Sequence, residues 1–287
     1  MRLRVLGSGG NSPIPMPTCK CEVCTQAREE GVPYARGGNS LYLPGIAAMV
    51  DAPEFAYTAL NRERVSDLEY ILLTHWHPDH VNGLRVLQSR DATAYDGFVE
   101  AVMEGGPTLV TTEAVYERTR EVFGQLEHFV DRMGFADVRF LDDDPLEVDG
   151  TAVRSVPYAL EGEEVDATAF VVEDGDATVL VASDDARHLP EEELPADIDL
   201  AVFECGLFED GPDGDPLFSE ADWDLLGGEL THSEVMERVD RVDPDRTLLT
   251  EIEHLTSRSY DHFRELETDP GYETVRFAHD GLELEVP

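Results

Sequence analysis

Runs of apolar residues alternate with polar turns along the whole sequence. Short runs bounded by glycine, proline or acidic clusters predict strands at residues 3–6, 40–43, 46–50, 70–73, 109–110, 138–141, 152–156, 169–172, 178–182, 200–203 and 248–250. Helical spacing predicts helices over residues 55–66, 113–133 and about 231–242, and residues 84–104 are expected to be partly helical. Residues 209–229 are acidic and rich in glycine and proline, so a loop is expected there.

The strand predicted at residues 70–73 leads into a cluster of histidines. His75, His77, Asp79 and His80 fall within six residues, although the chain has only 9 histidines in 287 residues. Nitrogen and carboxylate donors at this density suit Zn²⁺, Mn²⁺ or Fe²⁺ better than Ca²⁺. A metal site is therefore favoured over a polar loop that happens to be rich in histidine.

Three more acidic residues each follow the end of a predicted strand: Asp51, Asp184 and Glu251. If those strands share a sheet with a common edge, the three carboxylates and the histidines meet there. The alternative is chance, since acidic residues follow many strands in so acidic a chain.

Three of the four cysteines lie together, at Cys19, Cys21 and Cys24. Closely spaced thiolates are typical of a structural zinc site, which normally has four ligands. The fourth ligand is then Cys205 or a histidine, and the alternative is three free thiols on a loop. Disulfides are not expected in a large chain of cytoplasmic type.

The formal net charge is −41, from 62 acidic and 21 basic residues, while 41% of the residues are hydrophobic. The apolar content excludes a disordered acidic protein. Because the acidity is spread along the chain, it indicates a surface adapted to high salt, with a basic partner as the alternative. Nucleic acid is disfavoured as a partner, and no membrane span or signal peptide is visible, so a cytoplasmic protein is expected.

The segment from Thr74 to His80 resembles the signature of the metallo-β-lactamase-fold hydrolases. The resemblance to one subgroup, which includes the phosphoribosyl cyclic phosphate phosphodiesterase, extends over nearly the whole chain. The residues that carry it are Gly7 to Gly10, the three cysteines, Arg36, Asn39, Ser40, Ser183, Asp184, Thr231, His232, Leu249 to His254, Asp280 and Gly281.

This resemblance implies a role for each matching residue. His75 and His77 would bind one metal, Asp79 and His80 would bind a second, and Asp184 would bridge them. With a single metal, Asp79 would act as the base. Other implied roles are His254 as the fourth zinc ligand beside Cys19, Cys21 and Cys24, His232 as a contact to the substrate phosphate or proton donor to the leaving group, and Asp51 as the carboxylate that orients a ligand imidazole.

Two positions depart from the family pattern. The family has a further histidine shortly after the strand that ends here near Pro157, but no histidine lies between His128 and His188. The last family ligand is a histidine, whereas this chain has Glu251. In the first case, Glu161, Glu163 or Glu164 is expected to substitute. More carboxylates would favour Mn²⁺ or Fe²⁺ over Zn²⁺, and the other outcome is a single-metal or inactive site.

The expected structure is an α+β, four-layer αββα sandwich in which residues 1–287 form one domain with a zinc-binding loop at about 19–24. The expected function is metal-dependent hydrolysis of a small, cyclic or open phosphodiester, with structural zinc and one or two divalent active-site metals. The alternatives are an acyl or thioester hydrolase on the same fold and a metal-binding protein without catalysis. The sequence leaves the formation of a homodimer open.

Overall fold

The protein contains two mixed β-sheets of seven strands each. The computed structural model describes residues 1–90, 96–97, 100, 106–160, 162, 164–226 and 229–287. The strands are β1 (Arg2–Gly7), β2 (Ser40–Leu43), β3 (Ala48–Val50), β4 (Tyr70–Leu72), β5 (Thr108–Thr111), β6 (Val138–Phe140), β7 (Leu146–Val148), β8 (Thr151–Tyr158), β9 (Ala167–Asp174), β10 (Ala177–Ala182), β11 (Leu200–Glu204), β12 (Thr247–Thr250), β13 (Val275–Phe277) and β14 (Glu283–Glu285).

Helices and single helical turns connect these strands. The α-helices of the described residues are α1 (Glu22–Glu30), α2 (Ala56–Arg62), α3 (Pro78–Val81), α4 (Glu113–Val122), α5 (Gly124–Glu127), α6 (Glu220–Leu225), α7 (His232–Val242) and α8 (Tyr260–Leu266). Short 3₁₀ segments span Pro44–Ile46, Leu84–Gln88, Ala186–His188, Glu191–Glu193 and His254–Thr256, and His128–Arg132 is π-helical.

The strand order is β14-β1-β2-β3-β4-β5-β6 in the first sheet and β13-β12-β11-β10-β9-β8-β7 in the second. Strands β3 to β6 run parallel to one another, and so do β10 to β13. The inner faces of the two sheets form one apolar core, and each outer face packs against helices in a core of its own. Strands covered on both faces read as continuous apolar runs, which is why they are easy to recognise in the sequence. The α+β, αββα sandwich expected from the sequence is confirmed.

The local differences from the expected elements have physical causes. The helix expected over 113–133 is interrupted at Phe123, whose backbone is extended (φ −121°, ψ 92°) just before Gly124. The loop expected at 209–229 contains α6, where Ser219 and Asp222 form a capping box. Of the region expected to be partly helical, residues 84–88 form a 3₁₀ turn, whereas most of 89–104 lies outside the described residues. The sequence did not predict strand β7, because it is short and only half-buried.

In the part of the chain that the structure describes, no helix combines the length and apolarity that a membrane crossing requires.

Candidate metal centre

The ends of four strands bring the predicted metal-binding residues to one edge of the sandwich. Asp51 follows β3, His75 follows β4, Asp184 follows β10 and Glu251 follows β12. Asp51 and Glu251 both have a left-handed backbone, with φ of 55° and 51°. Such a conformation is costly for residues with a side chain and is concentrated at functional sites. The strands do not share one sheet as expected, since β3 and β4 belong to the first sheet and β10 and β12 to the second, but their ends meet at one edge of the sandwich.

The buried carboxylate of Asp51 holds the histidine segment in place through hydrogen bonds. Its Oδ1 accepts a hydrogen bond from the Thr74 backbone N–H (2.8 Å), and its Oδ2 accepts one from the Thr74 hydroxyl (2.7 Å). Nδ1 of His80 lies 2.8 Å from Oδ2, and Nδ1 of His75 lies 3.0 Å from the Thr74 hydroxyl oxygen. Since the hydroxyl donates its proton to Asp51, it accepts from His75. Both imidazoles therefore carry the proton on Nδ1 and present the Nε2 lone pair to the site, as metal-ligating histidines do.

The Nε2 atoms point at Asp184. His75 Nε2 lies 3.0 Å from Asp184 Oδ2, and His80 Nε2 lies 3.3 Å from the same oxygen. His77 is more exposed, and its Nδ1 lies 4.0 Å from that oxygen. Burial opposes ionisation of Asp184, but the neighbouring imidazoles of His75 and His80 outweigh it and hold its pKa well below the ordinary value. Asp184 thus occupies the centre of the cluster as a carboxylate.

Glu251 and Asp79 complete the other side of the cluster. His80 Nε2 lies 3.5 Å from Glu251 Oε1 and 3.6 Å from Asp79 Oδ2. Burial raises the pKa of Glu251 well above its ordinary value; His80 opposes the rise, whereas Asp184 and Asp79 add to it. A nearby cation would stabilise the ionised form of this carboxyl.

Three ligand atoms provide a test of whether a metal fits these residues. Among the described residues, His75 Nε2, His80 Nε2 and Glu251 Oε1 are buried and make no hydrogen bond. An unsatisfied buried polar atom costs about 1–3 kcal/mol. Ligand atoms of His75, His80 and Asp184 lie within 4.8 Å of one another, and so do those of Asp79, His80 and Glu251. The donor set therefore fits one or two divalent cations.

The position of the missing family histidine contains no nitrogen ligand. Tyr158 ends β8, is buried, and donates its hydroxyl proton to the backbone carbonyl of Asp184 (3.0 Å). Of the three expected substitutes, Glu164 is exposed and belongs to none of the candidate ligand groups among the described residues. Glu161 and Glu163 lie outside the described residues.

A glycine-rich loop packs directly against the two glutamates of the last strand end. A β-carbon on Gly10 would lie 2.4 Å from both Glu251 Oε2 and Glu253 Oε1, so only glycine fits there. The backbone N–H of Ser12 donates to Glu253 Oε2 at 3.1 Å. Gly10 therefore allows the loop to approach closely enough to cover Glu251.

The metal residues open into a cleft of about 520 Å³. Its lining includes six carboxylate side chains: Asp79, Asp184, Asp185, Glu229, Glu251 and Glu253. Basic side chains come from His77, Arg187 and His188. Sequence reasoning gave no role to Glu229, Glu253, Arg187 or His188, because an acidic residue or a lone histidine in a loop carries no motif.

The cysteine cluster forms a second candidate site on the other side of Glu253. Cys19 Sγ lies 3.3 Å from His254 Nε2, and Cys21 Sγ lies 3.5 Å from it. The Met16 backbone N–H donates to Cys24 Sγ (3.2 Å). Ligand atoms of the three cysteines and His254 all lie within 4.8 Å of one another, as a tetrahedral zinc site requires. The structure therefore brings the four predicted zinc ligands together.

The structure does not bring His232 to the cleft. The ring is 5% exposed and stacks on Phe208 with 4.0 Å between ring centroids. Its Nδ1 donates to the Cys205 carbonyl (2.7 Å), and its Nε2 accepts from the Tyr272 hydroxyl (2.8 Å). With both nitrogens occupied in the core, His232 has no atom left for a substrate. Cys205 is likewise a buried thiol, and it does not belong to the ligand group of the other three cysteines.

Other residues of the family resemblance hold strand ends in place. Asp280 accepts hydrogen bonds from the Ser8 N–H (3.0 Å) and the Gly37 N–H (3.0 Å). The Thr250 hydroxyl donates to Asn39 Oδ1 (2.7 Å), directly before Glu251. These contacts fix the loops around the site without reaching into the cleft.

A family model for the beta-lactamase superfamily domain matches residues 43–252. A structure of a new diphosphatase from the PhnP family has a TM-score of 0.66 and 22% identity, over 99% of this chain and 97% of that one. Zn²⁺-bound PqqB from Methylobacterium extorquens has a TM-score of 0.67 and 18% identity, over 99% and 100%. Human tRNase Z, short form, has a TM-score of 0.59 and 14% identity, over 100% of both chains.

A local match comes from the curated proteins. An octanoyltransferase from Porphyromonas gingivalis is 37% identical over 93 residues, which make up 31% of this chain. The chain spans only 18% of the length of that protein.

Proposed function

The chain belongs to the beta-lactamase superfamily domain family, and on that premise we propose that it is a metal-dependent hydrolase of a small phosphodiester. The observation that supports this most is the convergence of the lone pairs of His75 and His80 on the carboxylate of Asp184 in an open cleft. The names of two similar structures, the diphosphatase and tRNase Z, favour a phosphorus–oxygen bond as the target.

The residues that would hold one or two divalent cations are His75, His77, Asp79, His80, Asp184 and Glu251. Such cations would supply Lewis-acid polarisation of the phosphoryl oxygens and would make a water molecule more acidic. Thr74 and Asp51 keep the two buried imidazoles in the tautomer that binds a cation. Asp79 lies in the cleft with 16% of its side chain exposed, and where only one cation is bound it would accept a proton from the attacking water.

The second candidate is an acyl or thioester hydrolase on the same fold, since fold alone does not determine the substrate. The local likeness to an octanoyltransferase favours this candidate, although it covers less than a third of the chain. The third candidate is a metal-binding protein without catalysis, because the family histidine expected shortly after Pro157 is missing and Glu251 replaces the last family histidine.

Turnover assays separate the three candidates. The protein, supplied in turn with Zn²⁺, Mn²⁺ and Fe²⁺ in molar potassium chloride, is assayed with bis(p-nitrophenyl) phosphate and with p-nitrophenyl butyrate. We expect turnover of the phosphodiester and a loss of at least about 100-fold in Asp184→Asn, because the cations that Asp184 would hold stabilise the charge of the transition state. Asp240→Asn, the same change at an exposed position of α7, is the control.

Each other result selects another candidate. Turnover of the butyrate ester alone would make the protein an acyl hydrolase. Stoichiometric metal binding at the cleft with no turnover of either substrate would make it a binding protein.

A further inference from the structure

The 3₁₀ turn Ala186–His188 lies two residues after Asp184 and places two basic side chains in the acidic cleft. Arg187 and His188 line the cleft directly, and His188 is exposed. Apart from His77, which belongs to the metal cluster, they are the basic side chains among the described residues of the lining. A phosphodiester is an anion, and the six carboxylates of the cleft would repel it. It would be attracted mainly by this turn and by any cations bound at the metal cluster.

Two buried side chains fix the position of the turn. Glu204, at the end of β11, accepts a hydrogen bond from the Ala186 N–H (3.0 Å). Arg238, on α7, donates from Nη2 to the Arg187 carbonyl (2.9 Å). Both side chains are only 6% exposed. Glu204 and Arg238 belong to different elements, so two buried hydrogen bonds hold the backbone of the turn from two sides.

Arg187 lies close to the carboxylate of its neighbour Asp185. Nε of Arg187 lies 3.9 Å from Asp185 Oδ1, and Asp185 has a left-handed backbone with φ of 29°. Arg187 is half-buried and lines the cleft. His188 follows directly, on the same turn and the same cleft lining. An arginine is suited to phosphate because its planar group donates several hydrogen bonds at once.

We propose that this turn forms the substrate side of the cleft: Arg187 binds a non-bridging phosphoryl oxygen, and His188 protonates the leaving oxygen. This inference rests on the proposed phosphodiesterase function and deepens it. It gives the chain a proton donor, a role for which His232 is wrongly placed because both of its nitrogens are bonded in the core.

The step balances with residues of the chain and one water. The water oxygen forms a bond to phosphorus while the bond from phosphorus to the leaving oxygen breaks, and that electron pair goes to the leaving oxygen. His188 donates its ring proton to this oxygen, and Asp79 accepts a proton from the water. One phosphodiester and one water thus give a phosphomonoester and an alcohol, after which exchange with solvent returns Asp79 and His188 to their starting states.

The binding part of the proposal is tested with inorganic phosphate as the probe. Isothermal titration of the metal-loaded protein should show phosphate affinity falling at least tenfold in Arg187→Gln and recovering in part in Arg187→Lys, which keeps the charge. Arg139→Gln, at an exposed position on β6, should bind phosphate like the original protein. Metal content and Tm are measured for every variant, so that a folding defect is recognised. Unchanged phosphate affinity in a folded, metal-loaded Arg187→Gln would overturn the role of Arg187.

The proton-donor part is tested by the dependence on the leaving group. p-Nitrophenolate leaves with little need for a proton, whereas the phenolate of diphenyl phosphate needs one. General acid catalysis is typically worth about 10²–10⁴-fold. His188→Gln should therefore lose at least about tenfold more kcat on diphenyl phosphate than on bis(p-nitrophenyl) phosphate, and the exposed-site control His128→Gln should lose on neither.

Equal losses of His188→Gln on both substrates would overturn its role as proton donor. If the original protein turns over neither phosphodiester, the proposed function and the proton donor fall together, while the phosphate titration still decides whether Arg187 binds an anion.

Discussion

Glu251 stands where the family pattern has its last histidine ligand. Its environment indicates how this replacement changes the metal preference of the site. The carboxylate is buried, and the left-handed backbone directs Oε1 to within 3.5 Å of His80 Nε2. With Asp79, His80 and Asp184 it offers three carboxylates and one imidazole. Oxygen-rich sets of this kind favour harder cations than sets of imidazoles do.

Glu251→Gln should release one active-site metal while the zinc at the cysteine cluster stays. Its carboxamide is a weaker ligand than a carboxylate and carries no charge. Glu251→His should shift the preference from Mn²⁺ or Fe²⁺ toward Zn²⁺, because it replaces an oxygen donor by a nitrogen. Metal analysis after dialysis against equal concentrations of the three ions measures both effects. Full metal content in Glu251→Gln would exclude Glu251 as a ligand.

The buried ring of His232 predicts a pH dependence of stability. Burial lowers its pKa from 6.5 to about 4, so the folded protein keeps the ring neutral. The unfolded chain binds a proton as the pH falls through 6.5, whereas the folded protein does not. This contribution to stability is therefore complete above the unfolded pKa and is lost as the pH falls toward about 4, and at pH 5 it costs about 2 kcal/mol.

Urea unfolding at pH 7.5 and pH 5, at constant high salt, measures this loss. His232→Gln should lose about 2 kcal/mol less stability between the two pH values than the original protein does. The subtraction removes the contribution of the many carboxylates, which both proteins share. His128→Gln, which changes an exposed histidine, should behave like the original protein, and parallel losses in all three would contradict the assignment.

Among the elements, the loop at residues 19–24 and the turn His254–Thr256 come together from opposite ends of the chain. Cys21 caps α1, since its side chain accepts a hydrogen bond from the Cys24 N–H. A zinc ion here would join the two segments and would stabilise the folded state by its binding energy.

Cys21→Ser should release one zinc per chain and lower the free energy of unfolding by about 4 kcal/mol, the range of large effects such as the loss of a metal ligand. The metals of the cleft should remain bound, because no residue is shared between the two sites. Ser12→Ala, a change of similar size in the loop beside Glu253, is the control. Full zinc content and unchanged stability in Cys21→Ser would show that the thiols hold no metal.

Apolar strands and the closely spaced ligands at their ends are visible in the sequence, whereas contacts between distant segments are not. Residues 70–80 combine an apolar run with closely spaced ligands, so both the strand and the metal cluster are visible locally. The position of His232 depends on packing against Phe208 and Tyr272, which lie 24 and 40 residues away in the sequence. The sequence predicts that α7 begins at His232 after the Thr231 cap, but no local pattern predicts that the His232 ring is buried in the core.

At the scale of the whole molecule, acidic side chains outnumber basic ones by 62 to 21. Some of the few cations are not available to the surface: Arg36, Arg238 and Arg258 are at most 7% exposed and bond to backbone carbonyls inside the fold. The basic side chains of the surface are therefore too few to balance the acidic ones. Such self-repulsion destabilises a compact state unless ions screen it.

The Tm should consequently rise between dilute buffer and molar potassium chloride. The distance over which charges interact falls from about 10 Å at 0.1 M to about 3 Å at 1 M, and each kcal/mol of relieved repulsion raises the Tm by about 2–4 °C in a large domain. A melting series in potassium chloride, with sucrose at matched osmolality as the control, separates screening from general exclusion of solutes. A Tm that rises with salt and only slightly with sucrose would support a surface adapted to high salt. A Tm independent of salt would favour the other explanation of the charge, a basic partner that covers the acidic surface.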